Sequence, residues 1–146
     1  MSGFSDFLKK KKDENQQEEV NWNHIKADWL QQVKFFMNQI EAWLHTAKKN
    51  RIIEIKEKNI TLQEEHLGLY DAPSLVLAIE KEEIKIQPIG RLIIGAKGRV
   101  DIISSYDKYI VLYLDGREWV YRKETDNGKF TDFTKENFEK ILEDLL

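Results

Sequence analysis

The chain has 146 residues, of which 41% are hydrophobic and 34% charged, with a formal net charge of −3. This length suits one domain of common size, and the interspersed charge of slightly acidic balance excludes a global positive field for a nucleic-acid backbone. There is no cysteine, which excludes disulfides, thiolate zinc sites and thiol nucleophiles.

In chain order, Phe4, Phe7 and Leu8 come first, followed by Lys9, Lys10, Lys11 and Lys12, and then by Asp13, Glu14, Glu18 and Glu19. Aromatics that insert and lysines that meet anionic lipid would make a weak membrane anchor. Together with Asp6, however, the acids outnumber the lysines, and three apolar side chains bury little area. The expectation is a flexible or loosely docked tail over 1–19, ahead of a single α+β domain over 20–146. No hydrophobic stretch approaches the roughly 20 residues of a transmembrane helix, and the order of charge and apolar residues is the reverse of a secretory signal, so the expected address is cytoplasmic.

Residues 21–49 carry a strong helical period. Trp22, Trp29, Phe36 and Trp43 recur at seven-residue spacing, Ile25, Val33, Ile40 and Ala47 fill the adjoining stripe, and Leu30, Met37 and Leu44 widen it. A coiled coil would also demand apolar residues at its second core position, but that set reads Ile25, Gln32, Gln39 and Thr46. A broad face of this kind suits docking on a sheet. Asn21 is the expected N-cap and Asn50 the expected end.

From residue 52 the period changes to two. Strands are expected over 52–56, 60–63, 74–79, 84–87, 91–94, 99–104, 108–114 and 117–123, and the short connections imply antiparallel neighbours. Asp115-Gly116 carries the signature of a type I′ hairpin. Both faces of 108–114 are apolar, which suggests a central strand covered on both sides, with the C-terminal helix as one candidate cover, or one face folded around a groove. In that helix Thr134 is the expected N-cap, Phe133 and Phe138 the hydrophobic staple, and Phe138, Ile141, Leu142 and Leu145 the apolar stripe. The fold expected is α+β: a long N-terminal amphipathic helix packed on a curved, mainly antiparallel β-meander of six to eight strands, with a C-terminal helix.

Chemical motifs are sparse. Gly90 and Gly95 have the spacing of a phosphate-binding loop, but Ala96 stands where its lysine belongs. Turns and bulges explain these glycines better. Arg99 and Asp101 share one face of a strand and are expected to form a solvated salt bridge. His24, His45 and His66 have no metal-ligand spacing, and Ser104-Ser105 lacks a nucleophile elbow, so neither a catalytic nor a metal site is expected, nor a cofactor.

The functional expectation is a non-enzymatic protein-interaction module, an adaptor or inhibitor, whose partner is another protein and not nucleic acid. It would act through a sheet edge or through a basic and aromatic loop surface made by Arg91, Lys97, Arg99, Tyr106 and Trp119. The same edge would also serve a homodimer. The alternative is a binder of a small apolar ligand in a cavity between helix and sheet, and the third reading is an enzyme whose site assembles only in space.

Overall fold

A first helix, α1, runs Gly3–Trp43, about 60 Å of helix at the standard rise. The computed structural model describes residues 3–146, apart from the side chains at 14–20 and 117. No proline or glycine falls between Phe4 and Trp43, and the segment ahead of Asn21 is rich in Lys, Glu and Gln, so nothing stops the helix there. Asn21 is therefore an interior helical residue and not the N-cap that periodicity alone suggests.

The aromatic face of α1 is core. Trp29, Val33 and Ile40 are fully buried, Phe36, Met37 and Leu44 nearly so, and Trp22, Leu30 and Trp43 pack at its margin. A short helix, α2 (His45–Lys49), follows. It closes with a Schellman motif, in which Ile52 N–H donates to the Ala47 carbonyl and Arg51 N–H to that of Lys48. Arg51, with φ 58°, takes the left-handed position that glycine usually fills, one residue beyond the expected Asn50.

Seven antiparallel strands form one unclosed sheet in simple sequence order: β1 (Glu54–Glu64), β2 (Gly68–Ile79), β3 (Glu82–Gly90), β4 (Arg99–Ile103), β5 (Lys108–Tyr113), β6 (Trp119–Lys123) and β7 (Thr131–Asp132). The expected strands at 52–56 and 60–63 prove to be parts of one strand, β1. The expected strand at 91–94 is a loop, because the Glu64 carboxylate accepts the Arg91 and Leu92 amides that a ladder would otherwise use. Asp115–Arg117 is a single 3-10 turn in which Gly116 alone has positive φ, so the β5–β6 hairpin is longer than the expected two-residue type I′ turn.

Helix α3 (Lys135–Leu145) keeps its expected signals. The Thr134 hydroxyl accepts the Asn137 amide at 3.2 Å, and the Phe133 and Phe138 rings meet at 5.9 Å. Its placement differs from expectation. Phe138, Ile141, Leu142 and Leu145 join the same core cluster as Trp29, Phe36, Leu77 and Val111, so α3 lies with α1 on the inner face, and among the described residues no helix covers the second face of β5. On that outer face, Ile110 sits in register between Asp101 and Arg122.

Candidate functional site

Strands β2 to β6 each have a neighbour on both sides, so the two outermost strands among the described residues are β1 and the two-residue β7, although residues 68–74 of β2 pair with β1 alone. The β1 edge is eleven residues long, and its middle, Lys56-Glu57-Lys58-Asn59, is exposed. Beside it a groove of about 460 Å³ opens between α1 and the β1–β2 pair. Lys34, Asn38 and Glu41 line it from the helix, and Glu57, Asn59 and Ser74 from the strands. Local geometry explains the groove. The register pairs Glu57 with Leu75, which belongs to the core, so Glu57 faces the helix on the inner side of a strand too polar to be drawn into the core.

Two carboxylates meet in this groove. Glu41 lies against Glu57, and its carboxyl is held above the usual glutamate range, first by burial, then by the hydrogen bond and repulsion of Glu57, with Lys48 pulling the other way. The Glu41 Oε1 is buried with no hydrogen-bond partner among the described residues. Such a pair attracts a cationic group, which would offset the repulsion between the two side chains. Among the described residues no three acidic or histidine side chains converge as a metal site would require.

The residues singled out from sequence fall in different places. Arg91 and Lys97 lie in the β3–β4 loop, where Lys97 pairs with Asp115 of the neighbouring turn. Arg99 starts β4 and holds Asp101 through two hydrogen bonds, Nε to Oδ1 at 2.7 Å and Nη2 to Oδ2 at 3.0 Å. Trp119 is half-buried in the core, its ring 4.5 Å from Phe36 and 5.1 Å from Tyr113. Tyr106 is 86% exposed in the β4–β5 turn, at the opposite end of β4 from Arg99. Arg91, Lys97, Arg99 and Trp119 thus share one end of the sheet, and Tyr106 does not join them.

Two of the glycines in and beside that loop, Gly90 and Gly98, make close internal contacts. A Cβ on Gly98 would overlap the Trp29 ring, and one on Gly90 would sit 2.8 Å from Glu64 Oε1. Glu64 is the hub of this corner, since it also accepts the Tyr70 hydroxyl. Burial, followed by that carboxylate, pushes the Tyr70 phenol well above its ordinary range, against a smaller pull from the Trp29 indole. Nearby His66, in the β1–β2 turn with φ 68°, stacks on Trp22 at 4.5 Å. Neither the Glu41–Glu57 pair nor the Glu64 hub has a sequence motif, because each joins elements whose crossing only the folded chain defines. No protein-family model matches this chain, and no curated protein or solved structure matches it either.

Proposed function

We propose that this chain is a non-enzymatic protein-interaction module, an adaptor or inhibitor of another protein, that receives an extended segment of its partner along the free edge of β1. The observation that carries the reading is an eleven-residue edge strand lying beside a groove of about 460 Å³ under α1. Recognition of this kind draws affinity from main-chain hydrogen bonds and specificity from the alternate side chains that enter a neighbouring pocket. The charges on Lys56, Glu57 and Lys58 discourage indiscriminate pairing with other chains. They also select for complementarity, and the Glu41–Glu57 pair favours a lysine or arginine in the incoming segment. A second copy of the chain presenting the same edge would give a homodimer by the same chemistry.

Panning a random-peptide library on the full chain tests the proposal. Enriched peptides are expected to carry a basic residue among alternating positions and to lose about tenfold or more in affinity for the Glu57→Arg variant. Peptides that bind this variant as tightly as the original chain would remove the β1 groove as the site.

A small molecule is the second reading, favoured by a groove within the size range of ligand pockets. Met37, Pro73 and Leu75 line it together with Lys34, Asn38, Glu41 and Glu57, which suits an apolar molecule that carries a polar or charged group.

A further inference from the structure

Asn127 and Gly128 lie in the connection 124–130 between β6 and β7. Both are exposed, and the Asn127 side chain has no hydrogen-bond partner among the described residues. The chain is tied down on either side of the pair, because the Arg122 guanidinium donates to the Asp126 carbonyl and lies 5.1 Å over the Phe130 ring. Within the pair, the Gly128 N–H donates to Asp126 Oδ1 at 3.0 Å.

An asparagine followed by glycine can close on its own backbone. The glycine nitrogen attacks the side-chain carbonyl carbon, Cγ, and forms a new C–N bond. The bond from Cγ to the side-chain nitrogen breaks, and ammonia leaves with the proton that the attacking nitrogen gives up. Water then opens the cyclic imide at either carbonyl, to give aspartate or the isomer whose main chain runs through the side-chain carboxyl. Glycine suits the attack because it has no Cβ to shield its nitrogen and its backbone turns freely.

Of the eight asparagines, Asn127 alone precedes a glycine. Asn15, Asn21, Asn23, Asn38 and Asn137 lie in helices and Asn59 in β1, where regular backbone does not bring the next nitrogen to the side-chain carbon. After Asn50, the amide of Arg51 is engaged with the Lys48 carbonyl. Asp126 acts on the rate. The Gly128 nitrogen must lose its proton to attack, and a carboxylate that accepts the hydrogen bond of that proton, and repels the negative charge left behind, opposes the loss.

We propose that Asn127 is a site of spontaneous covalent modification, converted through a cyclic imide with Gly128 to aspartyl and isoaspartyl forms, and that the Asp126 carboxylate slows the conversion. Either product places a second carboxylate beside Asp126. The isoaspartyl product also lengthens the main chain between the two points that Arg122 holds.

Ageing the full chain at mildly alkaline pH, followed by trypsin and mass spectrometry, tests the site, since cleavage after Lys123 and Lys129 isolates residues 124–129. This peptide is expected to gain about one mass unit and to separate into aspartyl and isoaspartyl species. Gly128→Ala should slow the gain about tenfold or more. Asp126→Ala should speed it about threefold. Circular dichroism should show both variants folded, since the altered residues are exposed. The site is overturned if the folded chain gains no mass over a period in which the urea-unfolded chain converts, if another asparagine converts first, or if Gly128→Ala converts as fast as the original chain. An unchanged or slower rate in Asp126→Ala would overturn the role given to that carboxylate.

Discussion

Arg99 and Asp101 lie two positions apart on β4, so strand alternation puts both on the outer face, and their pairing is legible from sequence. Their environment is not. The Asp101 side chain is only 3% exposed, against 26% for Arg99, so the ion pair is buried at its acidic end and not solvated as expected. Arg99→Ala would leave that carboxylate with Lys108 alone, at 3.8 Å. Removing one partner of a buried pair is costly, and we expect a loss of about 2–3 kcal/mol in chemical denaturation, partly recovered by adding Asp101→Asn. An unchanged midpoint would mean that Asp101 is hydrated in solution. Glu41 makes a prediction of opposite sense. A carboxyl whose folded pKa is raised binds its proton more tightly when folded, so the stability linked to that proton is present at low pH and lost as pH rises from the ordinary glutamate value through the raised one. Glu41→Gln should therefore raise the melting temperature at neutral pH, with the gain shrinking as the pH falls into the carboxylate range. A gain that persists undiminished in acid would contradict the raised pKa.

At the scale of elements, periodicity carries furthest where burial is one-sided. The Trp22, Trp29, Phe36 and Trp43 stripe of α1 and the Thr134 cap of α3 follow from side-chain spacing alone, because one face of each helix meets one core. The strand reading breaks where tertiary contacts take over the backbone. Residues 91–94 are apolar enough for a strand, yet Glu64 captures two of their amides. The start of α1 is missed for a different reason, since the polar run from Lys9 to Glu19 interrupts the apolar period and leaves no trace in a pattern built on burial. The Schellman motif after α2 offers a test at this scale. Arg51 holds φ at 58°, a conformation that strains any side chain with a Cβ. Arg51→Gly should stabilise the protein by about 1 kcal/mol in thermal unfolding. A loss of that size would show that the arginine side chain contributes more than its backbone strain costs.

For the whole molecule, placing both helices on one face of a seven-strand meander decides what remains accessible. The inner face is filled by α1 and α3, and the central strands spend their hydrogen bonds on each other. The long β1 edge is left with the groove beside it. The α+β class and the meander are readable from short connections between alternating segments. Which strand forms the edge, and which polar residues α1 brings over it, depends on how the helix crosses the sheet. Glu41 and Glu57 are unremarkable in sequence for that reason. Their proximity is a property of the assembled layers.

Hydrogen exchange of the full chain, read by mass spectrometry with and without a library-selected peptide, tests strand addition most directly. The account predicts that protection on binding is gained in β1, across Glu54–Glu64, and in the facing stretch of α1 that carries Lys34, Asn38 and Glu41. Protection confined to β7, or to the loops that carry Arg91, Lys97 and Tyr106, would contradict it.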